Sequence, residues 1–153
     1  MVRRELSSAE RADLSDGLLG ALSAAGVTPV VDARPHPAAF LARLRFGSLP
    51  IMAVGPTIWW PNARRDFAGT DDMAILQHEL QHVLDFAEGR LTVLSYLLLP
   101  HNWRYRWELR EGLSWDRLGA EQRASMAEAL WRAERSQTKG EVAAALRAFI
   151  PWA

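Results

Sequence analysis

The stretch from Thr70 to Gly89 constrains the fold of this chain more than any other part of it. Thr70 offers an N-cap side chain, Asp71 and Asp72 put negative charge where the helix dipole favours it, and no breaker follows until Gly89. Met73, Leu76, Leu80, Val83, Leu84 and Ala87 recur at helical spacing and form one apolar stripe. Ile75, His78, His82 and Asp85 occupy a separate face. A helix with one face for the core and another bearing two histidines reads as the wall of a site.

Within that helix stands His78-Glu79-Leu80-Gln81-His82, the H-E-x-x-H pattern of zinc peptidases. Residues four apart lie one turn above each other, so two imidazoles can reach one ion at about 2 Å from each nitrogen. Glu79 is turned by about 100° from His78, too far round to be an equal ligand but near enough to act as general base on a water at the same ion. The chain has no cysteine, so a metal must be held by His, Asp or Glu. The bland alternative is a pair of histidines hydrogen-bonded along a partly buried face; the separation of the two faces argues against it.

A catalytic zinc, Zn²⁺, needs a third protein ligand and one open position. His36 and His101 lie in proline-flanked loops, and an acid from a later helix is the stronger candidate. Trp103 to Glu111 is predicted to be helical up to Gly112 and carries Glu108 and Glu111, three apart, so one is expected to bind while the other sits beside it. Asp85, one turn after His82, cannot easily complete a tetrahedron from the same helix and is assigned a supporting or surface role. Tyr105 is either a structural hydroxyl or a donor to a developing oxyanion, and His101 is open to the same two readings.

Around the central helix, Ser7 and Glu10 form a capping box opening a helix predicted over Ser8 to Ala25. Val27 to Val31, with Pro29 inside it, reads as an edge strand, and Ala38 to Phe46 as a second helix. Pro50 to Val54 and Thr57 to Trp60, joined by Gly55-Pro56, read as a hairpin followed by a loop over Asn62 to Gly69. Leu91 to Leu99 is predicted to be a buried helix or turn ended by Pro100. Two further helices are predicted over Ala120 to Arg135 and Lys139 to Phe149, the latter behind a Thr138–Glu141 capping box. The expected fold class is α+β, mostly α, in a single domain spanning residues 1–153.

Eighteen Lys+Arg balance 18 Asp+Glu, which speaks against phosphate backbones or anionic membranes as main partners. Trp103-Arg-Tyr-Arg-Trp107 could suit single-stranded nucleic acid, but the neutral total favours aromatics packed beneath the site with Arg104 and Arg106 in solvent. No signal peptide or transmembrane segment is evident, since the longest apolar run, Leu91 to Leu99, is interrupted by Thr92, Ser95 and Tyr96. A cytoplasmic location is expected.

The runs Ile51 to Pro61, Asp72 to Leu76 and His78 to Asp85 resemble the HExxH zincins of the minimal, gluzincin-like bacterial metallopeptidase type. Tyr105-Arg-Trp-Glu108-Leu-Arg-Glu111-Gly resembles the ligand helix of that family, which implies Glu108 as third ligand over Glu111. The likeness covers roughly Pro35 to Gly112, with Asp85 where members often carry Gln and Gly112 where larger gluzincins carry an acid. It implies a zincin-like fold with a small sheet or hairpin over the active-site helix. The expected activity is hydrolysis of a peptide or protein substrate lying along the edge of the Thr57–Trp60 strand. An inactive zinc-stabilised scaffold or interaction domain is the rival expectation.

Overall fold

The structure is a computed structural model and describes residues 3–39 and 49–153, so the helix expected over Ala38 to Phe46 lies largely outside the described residues. At the N-terminus the capping box forms: Ser7 Oγ accepts from the Glu10 amide, Glu10 accepts from the Ser7 amide, and α1 (Ser8–Asp13) follows. The helix expected to continue to Ala25 breaks at extended Leu14 and restarts as α2 (Asp16–Ala24). The break has a buried cause. Fully buried Gln77 accepts from the Ser15 amide at 3.1 Å and donates to Ser15 Oγ at 3.0 Å and the Ala127 carbonyl at 2.8 Å. That one side chain satisfies its own polar atoms only by holding Ser15 out of helical geometry.

Four short strands, β1 (Arg3–Glu5), β2 (Val30–Asp32), β3 (Met52–Val54) and β4 (Thr57–Trp59), form a sheet in the order β1-β2-β4-β3. The expected hairpin is β3–β4, Met52 facing Trp59, with Gly55 at φ 56° supplying the positive φ that its tight turn demands. Two expectations change. β2 is an interior strand, antiparallel to β1 and parallel to β4; Pro29 stands just ahead of Val30 and so removes no ladder hydrogen bond. β4 is paired on both sides, which leaves β3, not the Thr57–Trp60 strand, as the edge of the sheet beside the hairpin among the described residues.

The central helix, α3 (Asp72–Ala87), packs against β3, β4 and α2 through Met73, Leu76, Leu80, Val83 and Leu84, which join Leu18, Leu22, Ile58 and Phe67 in the main core. Thr70 does not cap it: its hydroxyl donates to the Phe67 carbonyl at 2.6 Å, and Asp71 occupies the cap position without a side-chain bond. The Leu91–Leu99 segment forms α4 (Val93–Leu98), but it is exposed where burial was expected. The helix expected over Trp103 to Glu111 is absent. A 3-10 turn, Pro100–Trp103, leads into irregular chain, and Gln122 Nε2 donates at 2.7 Å to the Arg106 carbonyl that a helix would have used internally.

The C-terminal helices are α5 (Ala120–Glu134) and α6 (Gly140–Phe149), joined through a second core of Trp115, Leu118, Met126, Leu130, Leu146 and Ile150. The Thr138 capping box does not form; Lys139 holds the cap position of α6 with no side-chain bond. α5 lies along α3, opposite the sheet. No described helix is long and apolar enough to cross a membrane.

Gly119, immediately before α5, is required by close approach: a Cβ there would run into the His101 carbonyl and come within 3.2 Å of Asn102 Cα. Both neighbours are backbone and cannot rotate away. Gly119→Ala is expected to cost about 1–3 kcal/mol, as overpacking does, and thermal unfolding measures it.

Candidate metal centre

α3 presents His78 and His82 one turn apart, and α5 brings Glu121 from its first turn to meet them. All three are buried. Glu121 Oε2 lies 3.2 Å from His78 Nε2 and 3.4 Å from His82 Nε2. Ligands 2.0–2.2 Å from a four-coordinate ion stand about 3.3–3.5 Å apart along the edges of a tetrahedron. All three donor atoms lie within 4.8 Å of one another, close enough to converge on one ion. The donor set, two imidazole nitrogens and a carboxylate oxygen, could hold a metal ion.

The electrostatics follow from burial and proximity. Burial works against charge on Glu121, yet His78, His82 and the Tyr96 hydroxyl overcome it and hold this carboxyl well below the usual carboxylate range. Burial likewise disfavours the His78 imidazolium, but the carboxylates of Glu121, Glu128 and Glu79 lift it to about 9. Glu79 is pushed up by burial, against the opposing pull of His82 and His78, and the Ala53 amide on β3 favours its charged form.

Further groups surround the triad. Tyr96 of α4 donates its hydroxyl to Glu121 Oε1 at 2.6 Å, and its ring centroid lies 6.5 Å from that of His82. Tyr105 places its ring nearly parallel to His78, 6.3 Å away, at an exposed position. Burial and the Glu121 charge raise both phenols, so each remains a hydrogen-bond donor at neutral pH. Glu128 Oε2 stands 3.3 Å from His78 Nδ1 and is itself held by Arg132 Nε at 3.0 Å. A carboxylate at the far nitrogen of a metal-binding imidazole orients its ring.

The structure does not bring the third ligand expected from the sequence to the histidines. Glu108 and Glu111 are exposed on irregular chain and belong to no metal-ligating group among the described residues; Glu121 is the acid that stands beside the two histidines. His101 is exposed in the 3-10 turn, and His36 stacks edge-on against Trp59 while its Nδ1 accepts from the Ala38 amide. Asp85 belongs to no metal-ligating group among the described residues. It is fully buried, bound by Arg123 Nε at 2.9 and 3.1 Å and by Gln81 Nε2 at 2.9 Å. Sequence reasoning passed over Glu121, Glu128 and Tyr96. The one signal for Glu121 was an acid in the first turn of a predicted helix, which the helix dipole explains equally well.

His78 also fixes a pH dependence. Its folded value of about 9 lies above the ordinary 6.5, so its protonated form stabilises the metal-free fold. That contribution is complete below 6.5 and lost as pH rises through 9. Chelator-treated protein is expected to melt several degrees lower at the alkaline end of this window, whereas zinc-loaded protein should not follow, because metal replaces the proton.

Family models, curated proteins and solved structures were all compared with this chain, and none matches. Function is therefore argued from the site itself.

Proposed function

We propose that the protein is a zinc-dependent metallopeptidase in which His78, His82 and Glu121 hold the ion and Glu79 is the general base. The observation that carries this reading is Glu79. It is buried one residue from a ligand, outside the ligand group, and makes no ion pair among the described residues. A buried carboxylate with no ion pair is a cost to folding and has a purpose where a proton must be moved.

Bound zinc would supply Lewis acidity, acidifying a water and polarising a carbonyl. Glu79 takes the proton from the attacking water and returns it to the leaving amine. Tyr105, whose ring lies beside His78, would offer its hydroxyl to the oxygen that gains charge. Tyr96 is committed to Glu121 and keeps that carboxylate aimed at the ion. A peptide substrate would add as a strand to β3, which is an edge strand among the described residues and whose Ala53 amide faces Glu79.

A second reading, a zinc-stabilised domain that cleaves nothing, is favoured by the burial of all three ligands, since structural sites are closed. Glu79→Gln separates the two. A peptidase should keep its zinc and its fold and lose on the order of a hundredfold or more in kcat/KM. Wild type and variant, at matched zinc content, are compared by mass spectrometry on a pooled peptide library. Cleavage by wild type alone supports the mechanism; equal cleavage by both removes Glu79 from its role, and cleavage by neither favours the structural site.

A further inference from the structure

Among the described residues, seven of the eight large apolar side chains that stand exposed fall between Val93 and Tyr105, each between 44% and 65% exposed. Val93, Leu94, Leu97 and Leu98 lie on α4, and Leu99 and Trp103 follow it. A single exposed leucine needs no explanation, but a contiguous cluster marks a surface that something covers.

This surface is built and not frayed. Buried Asn102 donates to the Ser95 carbonyl at 3.1 Å and accepts from the Ala120 amide at 3.1 Å, and Trp103 Nε1 donates to the Tyr96 carbonyl at 2.6 Å. The segment thus holds its apolar side chains outward while its polar groups are satisfied from behind.

The adjoining chain carries a net positive charge. Arg104, Arg106 and Arg110 are exposed and make no ion pair among the described residues, and Glu108 is the only acid between Leu91 and Arg110. The neutral total of the chain conceals this local excess of positive charge.

We propose that the Val93–Arg110 segment seats the protein on an anionic lipid surface. Leucines and a tryptophan next to unpaired arginines are the combination that inserts at the boundary between headgroups and acyl chains. Side chains standing half to two-thirds exposed suit a fluid surface that closes around them, and unpaired guanidinium groups suit phosphate and carboxylate headgroups. α4 is far too short to span a bilayer, so the segment lies in the interface. This inference does not depend on the peptidase reading.

The test is co-sedimentation of the full chain with vesicles of phosphatidylcholine alone, or with about one-third phosphatidylserine. Binding to the anionic vesicles is expected, at least roughly tenfold tighter than to the neutral ones. Leu94→Ser with Leu98→Ser should weaken binding to anionic vesicles by a further tenfold or so, and Arg104→Gln with Arg106→Gln should reduce it to about the neutral level. All four positions are exposed, and unchanged circular dichroism and thermal unfolding confirm that the variants fold. Failure to bind anionic vesicles, or binding indifferent to the leucine changes, overturns the proposal. Self-association that the leucine variants abolish, without vesicle binding, overturns it in favour of a second copy of the chain.

Discussion

Arg123→Ala is expected to cost about 3–5 kcal/mol of stability, measured as a fall in the urea midpoint at unchanged slope. The guanidinium is 4% exposed and the Asp85 carboxylate not at all; Arg123 also donates to the Leu118 carbonyl, and Gln81 adds a further bond to Asp85. Removing the arginine leaves a carboxylate inside the protein with one amide for company, and the desolvation penalty that the pair offset is then uncompensated. Asp85→Ala should be similarly severe. The double change Asp85→Leu, Arg123→Met removes both charges and is expected to be far milder than either single change. If the single changes cost less than about 1 kcal/mol, the pair is not the lock between α3 and α5 that its geometry implies.

That lock explains why some of the architecture was legible in the sequence and some was not. The apolar stripe of α3, the Ser7–Glu10 capping box and the Gly55-Pro56 hairpin are local devices, complete within a few residues. The failures share another cause. Ser15 is pulled from helical geometry by Gln77, and the Arg106 carbonyl is taken by Gln122, in each case by a side chain remote in sequence. Pro29 misled in the opposite direction, because its place just outside the paired residues let β2 run through the interior of the sheet. Likewise His78 and His82 stand together by helical spacing alone, whereas Glu121 reaches them only because α3 and α5 lie side by side. Glu108 had a helical pattern and the right residue type; it lacked the packing that would carry it inward.

The largest effect is expected at Glu121. Glu121→Ala removes the only charged ligand of the group, and zinc affinity should fall by about three orders of magnitude or more, measured by competition with a chromophoric chelator. Glu108→Ala and Glu111→Ala should leave affinity unchanged, because both side chains stand in solvent away from the histidines. Glu128→Gln occupies the middle ground: it removes the charge opposite His78 Nδ1 while keeping its size, and a loss of about 10–100-fold is expected. The ordering carries the argument. A ligand, an orienting carboxylate and a bystander differ in kind, so Glu121, Glu128 and Glu108 should fall into three separated classes. If Glu108→Ala is as damaging as Glu121→Ala, the irregular segment carries the third ligand after all and the site built on α5 is wrong. If no single change weakens binding while His78→Ala with His82→Ala abolishes it, the ion is held by the histidines alone, and the closeness of Glu121 to them has no bearing on the metal.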